Sequence, residues 1–170
     1  VAVRALLVVV AGATVWCVGV GAAVGAPGDL DATFGGGDGK LTTAIGNGSD
    51  YAQAVAIDLQ DRVVVAGFSS NGSNKDFAVV RYTSAGVLDT SFSSDGKLVT
   101  DIDGDDDYGR AVAVDSQDRV VVAGISWNGS DWDFAVVRYT SAGVLDTSFS
   151  SDGKVTTAIG TGNDIGRGVV

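Results

Sequence analysis

The sequence lacks histidine, methionine and glutamate, and its 170 residues include one cysteine and one proline. Without histidine, and with Cys17 as the only thiol, Ser–His and Cys–His nucleophilic pairs and ordinary zinc sites are excluded. All 21 acidic residues are aspartates, whereas helix surfaces are normally filled with Glu, Lys, Gln and Ala, which lose little freedom in a helix. The composition therefore predicts an all-β chain, and we assign no catalytic residue.

The chain is acidic. Eleven basic residues stand against the 21 aspartates, so the formal net charge is −10 at pH 7. A surface of this sign repels phosphate backbones and anionic lipid. We therefore expect no nucleic-acid partner and no membrane contact beyond the N-terminal segment.

Residues 1–26 form a targeting segment in this interpretation. Arg4 precedes an uncharged stretch that runs from Ala5 to Gly28 and ends in small residues. A basic start, an apolar run and a small-residue end are typical of a secretory signal peptide. The alternative is an uncleaved membrane anchor, because the run is long enough to cross a bilayer. Both alternatives place the rest of the chain outside the cytoplasm, at the cell surface, in the periplasm or in the medium.

Internal repetition dominates the remaining sequence. Residues 76–97 recur without a change as 133–154, and residues 61–67 recur as 118–124, both at an offset of 57. Self-similarity at a fixed period indicates a repeat architecture. The predicted partial units are approximately 27–82, 83–139 and 140–170.

Each period contains four runs with strand character. Residues 54–58 and 62–67 predict a hairpin with a short loop, 77–82 a third strand, and 97–100 a short fourth strand after an Asp-Gly turn. Valine-rich runs without clean alternation indicate that both sheet faces are covered. The prediction is an all-β, incomplete β-propeller-like stack of four-stranded blades, about two and a half repeats, after an N-terminal signal helix. A β-solenoid is the competing architecture, although its coils are usually shorter.

Several motifs carry a resemblance to a known family. The strings G-D-L-D-x-T-F-G-G-x-D-G-K, D-R-V-V-V-A-G and D-F-A-V-V-R-Y occur in order from Gly28 onward. Together they resemble the delta-60 repeat, a bacterial β-propeller repeat of unknown function found in exported proteins. The resemblance implies the propeller fold and an exported setting, and it supplies no catalytic residue. Because closed propellers need about four to eight blades, we expect further sequence or other chains to provide the remaining blades.

One acidic loop is a candidate metal site. Asp101, Asp103, Asp105 and Asp107 alternate along it, and carboxylates in this pattern suit Ca²⁺, which takes about 6–8 oxygen ligands. An EF-hand loop would need glycine at its sixth position and glutamate at its twelfth, which this loop lacks. The alternative is a solvated connecting loop without a metal. We expect no other cofactor.

Two tryptophans form a second candidate site. Trp127 and Trp132 flank the short loop 128–131, where they could stack on a sugar ring or anchor a protein partner. The alternative is packing between blades. The Asn-Gly steps that begin at Asn71 and Asn128 are interpreted as turns.

Recurring charged residues have predicted structural roles. Aspartates that precede the first strand of each unit, and aspartates that precede glycine, are expected to bond nearby backbone amides. Arg81 and Arg138 share a strand face with apolar residues and should pair with Asp89 and Asp146. The aspartates concerned are Asp50, Asp107 and Asp164 before the strands, and Asp38, Asp95 and Asp152 before glycine.

These observations favour a non-catalytic, exported binding or scaffold module whose protein or glycan partner is unknown. The alternative is the propeller portion of a larger secreted glycan-active enzyme, in which aspartate pairs act as acid and base. Further near-identical repeats downstream would favour the scaffold, and an appended domain with His or Glu clusters would favour the enzyme.

Overall fold

The computed structural model describes residues 27–170. The predicted signal helix at 1–26, and Cys17 within it, lie outside the described residues. Residues 27–170 form eight β-strands and no helix, so this part of the chain holds no helical segment suited to crossing a membrane. The all-β prediction is confirmed.

The strands form two antiparallel sheets of four, each in sequential order. The first sheet contains β1 (Asp50–Ile57), β2 (Val63–Ser70), β3 (Lys75–Tyr82) and β4 (Lys97–Thr100). The second sheet contains β5 (Asp107–Val114), β6 (Val120–Trp127), β7 (Trp132–Tyr139) and β8 (Lys154–Thr157). The four predicted strands of each unit are thus present, and each sheet is one blade.

The first hairpin of each blade is closed by an aspartate. Asp58 Oδ1 accepts hydrogen bonds from the amides of Gln60 and Arg62, both at 2.9 Å. Asp61 adopts the left-handed conformation, with φ of 58°. Asp115 repeats the arrangement in the second blade. Asx turns of this kind fix the loop length and with it the register of the strands.

A buried ion pair holds the long connection between the third and fourth strands. Arg81 Nε donates to Asp89 Oδ2 at 2.8 Å, and Arg138 Nε donates to Asp146 Oδ2 at 2.7 Å. The Arg81 guanidinium also lies over the ring of Phe92, 4.5 Å from its centre. The predicted pairing of both arginines is confirmed.

The recurring aspartates cap backbone amides as predicted. The carboxylate that begins the first strand of each blade, and its equivalent in the third unit, accepts a hydrogen bond from the amide five residues upstream, at 2.7–2.9 Å. The carboxylate before glycine accepts from the lysine amide two residues downstream, at 3.0 Å in all three copies. The first set is Asp50, Asp107 and Asp164, and the second is Asp38, Asp95 and Asp152.

The two blades stack face to face on a shared core. β5 packs across β1, β2 and β3, and the buried valines and aromatics of both sheets form one cluster. Tyr139 Oη of the second blade donates to Thr100 Oγ1 of the first at 2.7 Å. Arg81 of the first blade donates to the Ser141 carbonyl at 2.8 Å. Side-chain bonds therefore supplement apolar burial between the blades.

The same stacking contact recurs before the first blade. Tyr82 Oη donates to Thr43 Oγ1 at 2.7 Å, as Tyr139 does to Thr100.

The two sheets cover residues 50–100 and 107–157. The boundary at residue 82 between the first two units predicted from the sequence therefore falls between β3 and β4 of one sheet.

Candidate functional site: an aspartate cluster and an aromatic row

Two groups of side chains meet at one end of the blades. In an antiparallel meander, the start of the first strand, the end of the second and the start of the third lie at the same end of the sheet. The loop 101–106, which joins β4 of the first blade to β5 of the second, lies at this end as well. Residues that are far apart in the chain therefore come together there.

An aspartate cluster lies where the blades meet. One carboxylate oxygen from each of Asp76, Asp101 and Asp107 lies within 4.8 Å of the others. Asp76 is the second residue of β3 in the first blade, Asp107 begins β5 of the second, and Asp101 follows β4. Asp76 is 4% exposed and Asp107 is 0% exposed, whereas Asp101 faces solvent. Two of the three carboxylates are therefore removed from water.

Each of the three carboxylates accepts a hydrogen bond from an N–H group of the protein. Asp107 Oδ2 accepts from the Ile102 amide at 2.8 Å, and Asp76 Oδ2 accepts from Asn71 Nδ2 at 3.0 Å. Asp101 Oδ1 accepts from the Gly104 amide at 2.6 Å. The Oδ1 atoms of Asp76 and Asp107 are buried without a hydrogen-bond partner. Such atoms are rare in folded proteins, because an unsatisfied buried acceptor costs about 1–3 kcal/mol.

The electrostatics of the cluster favour protonation. Burial raises the pKa of Asp107 to about 6, from an ordinary value of 3.8. The Ser126 hydroxyl and the Ile102 amide lower this pKa in part, whereas the charges of Asp101 and Asp76 raise it further. Burial also raises the pKa of Asp76. Two carboxylates at this junction therefore hold protons more tightly than they would in water.

This pKa predicts an unusual pH dependence. Because Asp107 binds its proton more tightly in the folded state, its contribution to stability is present below about pH 4 and is lost as the pH rises through about 6. In EDTA, the Asp107→Asn variant should match the wild type near pH 4 and exceed it above pH 7, by at most about 3 kcal/mol. Urea unfolding between pH 4 and pH 8 measures the difference. Parallel stability curves for the two proteins would contradict the raised pKa.

The structure divides the predicted calcium ligands. It brings Asp101 and Asp107 together, whereas Asp103 and Asp105 are exposed along the loop and lie outside the cluster. Asp106 forms an ion pair with Lys75 Nζ at 3.0 Å and also accepts from the Tyr108 hydroxyl at 3.1 Å. The third member, Asp76, comes from the neighbouring blade.

A row of five partly exposed aromatic rings runs across both blades at this same end. Four ring contacts, with centres 4.7–5.4 Å apart, join the row, and the contact between Phe68 and Tyr108 links the two sheets. The first pair is stacked and the other three are edge-to-face, both of which are favourable aromatic geometries. In order, the row consists of Tyr51, Phe68, Tyr108, Trp132 and Trp127.

The tryptophan end of the row borders a shallow cleft. The cleft has a volume of about 390 Å³ and lies between the blades. Trp127 and Trp132 contribute its apolar side, and polar groups of the first blade and the connecting loop contribute the other. These polar residues are Ser73, Asn74, Asp105 and Asp106. The structure thus places both predicted tryptophans beside a surface cavity with hydrogen-bonding groups.

Comparison with known families agrees with the architecture. Residues 61–92 and 118–149 each match the family model described as a domain of unknown function (DUF5122) beta-propeller. The two matched segments are similar to this β-propeller family and lie 57 residues apart, at the offset of the sequence repeat. The resemblance to a β-propeller repeat family of unknown function is therefore confirmed. No curated protein matches the chain.

The segments that match the family model contain only part of the candidate site. Asp76 and both tryptophans lie within the matched segments, whereas Asp101 and Asp107 lie in the connection between them. The offset of 57 places Ser70 and Lys75 of the first repeat at the positions of Trp127 and Trp132. The paired tryptophans therefore distinguish the second repeat from the first.

Proposed function

We propose that this chain is a non-catalytic, exported β-propeller module that binds a glycan through the cleft beside Trp127 and Trp132. The observation that carries the proposal is the continuation of the two tryptophans into an aromatic row across both blades. Ligand sites combine apolar and aromatic walls with a few convergent polar groups, and this cleft has that composition.

The chemistry of the cleft suits a sugar better than a charged polymer. The faces of Trp127 and Trp132 can cover the C–H face of a pyranose ring. The carboxylates of Asp105 and Asp106 can accept hydrogen bonds from sugar hydroxyls, and the side-chain amide of Asn74 offers both a donor and an acceptor. The net charge of −10 opposes anionic ligands, so neutral glycans are favoured.

A glycan array probed with the full chain tests the proposal, and isothermal titration calorimetry measures any binding found. The double variant Trp127→Ser/Trp132→Lys gives the second blade the residues that the first blade carries, so the fold should be kept. We expect it to bind at least about tenfold more weakly, since aromatic anchors dominate most interfaces.

Val144→Ala provides the matched control. Val144 is 61% exposed and lies in the connection after β7, at the opposite end of the blade from Trp132. This variant should bind as the wild type does. Absence of binding to any neutral glycan, or equal binding by the double tryptophan variant, would contradict the proposal.

The enzymatic alternative, a propeller portion of a larger secreted glycan-active enzyme, requires an accessible carboxylate pair. Retaining and inverting glycosidases place their two carboxylates on either side of the scissile bond, about 5–9.5 Å apart. Among the described residues, the carboxylates with raised pKa are Asp76 and Asp107, and both are buried between the blades. This burial favours the non-catalytic role.

Export and further assembly belong to the same proposal. The composition of residues 1–26 supports a signal peptide or anchor. Closed propellers contain about four to eight blades, so we propose that further sequence or other chains supply the rest of the ring. A cavity of about 520 Å³ along the first blade, lined by apolar residues such as Val63 and Val65, offers a face for such packing.

A further inference from the structure

We propose that Asp76, Asp101 and Asp107 bind one Ca²⁺ ion between the two blades. The proposal goes beyond glycan binding and does not depend on it. It differs from the site expected from the loop alone, because one ligand comes from the neighbouring blade and neither Asp103 nor Asp105 takes part.

The free oxygens of the three carboxylates carry the argument. In each aspartate one oxygen accepts a hydrogen bond from an N–H group, namely that of Ile102, Asn71 or Gly104. The other oxygen is left for a ligand. Asp76 and Asp107 are both more than nine-tenths buried, and in each of them this remaining oxygen has no hydrogen-bond partner. A bound cation would satisfy both atoms at once.

The equivalent aspartate of the first blade shows the contrast. Asp50 holds the same position as Asp107 and bonds the Ile45 amide in the same way. Its other oxygen accepts from Ser69 Oγ at 2.5 Å. Ser126, which lies opposite Asp107 in the β5–β6 register, has a buried Oγ without a partner. Ser126 therefore faces Asp107 without forming the short hydrogen bond that Ser69 forms with Asp50, so this oxygen is held less tightly in the second blade than in the first.

The charge balance also points to a cation. Within residues 27–170, no lysine or arginine forms an ion pair with any of the three carboxylates. The nearby Lys154 directs its ammonium to the carbonyl oxygens of Asp101 and Ile102 instead, at 3.2 and 3.1 Å. Three clustered carboxylates with no counter-ion are costly unless a cation or protons neutralise them.

The spacing of the oxygens is compatible with calcium. Ca²⁺ binds oxygen at about 2.4 Å, so its ligands can lie up to about 4.8 Å apart. The three carboxylate oxygens lie within 4.8 Å of one another. Because Asp101 faces solvent, water can complete the six to eight ligands that Ca²⁺ takes.

Calcium titration of the full chain, stripped with EDTA and returned to chelator-free buffer at pH 7.5, tests the proposal. A site with three protein carboxylates should resemble the calcium sites of extracellular modules, with a Kd of about 0.1–1 mM. We expect calorimetry to show one site with this affinity, and 10 mM CaCl₂ to raise the Tm by about 5 °C relative to NaCl of equal ionic strength. MgCl₂ should have a smaller effect.

Two substitutions in one loop provide the matched comparison. Asp101→Ala introduces the residue present at the equivalent positions, Ala44 and Ala158, so the fold should tolerate it. We expect it to weaken Ca²⁺ binding at least tenfold and to leave the Tm in EDTA within about 2 °C of the wild type. Asp103→Ala removes the same charge two residues away and should leave calcium affinity unchanged.

The outcomes separate a specific site from general attraction. No heat and no Tm rise at 10 mM Ca²⁺ in the folded wild type would overturn the proposal. Equal losses of affinity in Asp101→Ala and Asp103→Ala would also overturn it, because they would indicate diffuse attraction to an acidic loop. Since no glycan is present, failure here leaves the proposed glycan binding untouched.

Discussion

Replacing Arg81 with methionine is expected to lower the free energy of unfolding by about 3–5 kcal/mol, the range found when one partner of a buried ion pair is removed. The Arg81 side chain is 1% exposed, and its Nε bonds Asp89 Oδ2 at 2.8 Å. Its other nitrogens donate to the Ser141 carbonyl and to Ser91 Oγ. Methionine fills a similar volume but leaves Asp89 with a weaker partner, Arg62, whose Nη1 lies 3.6 Å away.

Arg138→Met is the control for this prediction, because the surrounding 22 residues are identical in sequence. Arg138 pairs with Asp146 in the same way, but its side chain is 16% exposed and, within residues 27–170, donates to no carbonyl of another blade. Its replacement should cost at least about 1.5 kcal/mol less, the contribution of one hydrogen bond to a charged group. Urea unfolding of both variants at pH 7 measures the difference. Equal losses would mean that the bond between blades adds nothing.

The features predicted correctly from sequence are those contained within one repeat. The pairing of Arg81 with Asp89, and the capping of an amide by Asp107, depend on residues that a strand, a turn or a short loop brings together. Local chemistry determines such contacts, since turn geometry and strand alternation fix the directions of the side chains. An offset of 57 then shows that the same local solution occurs twice.

The features that sequence could not supply arise from the stacking of blades. Alternating aspartates indicated a site along one loop, but the folded loop brings only Asp101 and Asp107 together and adds Asp76 from the other sheet. The aromatic row likewise requires Tyr108 to lie between Phe68 and Trp132, residues of different strands. One signal was available, because Asp101 interrupts a position that is alanine in the other two units, at Ala44 and Ala158.

Gly124→Ala is expected to destabilise the chain by about 4 kcal/mol or more, through forced contact rather than a lost bond. Gly124 pairs with Gly109, immediately beside the β-bulge between Gly109 and Ala111. The bulge turns the Tyr108 carbonyl toward Gly124, so an added Cβ would lie far inside van der Waals contact with that oxygen. The same Cβ would come within 2.9 Å of Phe77 Cζ in the other blade.

The obstruction at Gly124 involves both backbone and core, so neither side can yield cheaply. The Tyr108 oxygen belongs to the sheet ladder, and the Phe77 side chain is fully buried in the core shared by the blades. Gly160→Ala is the control, since its Cβ would meet no atom within 4 Å and its φ is not in the left-handed region. The free energy of unfolding of that variant should lie within about 0.5 kcal/mol of the wild-type value or slightly above it, because alanine restricts the unfolded chain. Similar Tm values for the two variants, measured by thermal unfolding followed by circular dichroism, would contradict the close approach of the blades at Gly124.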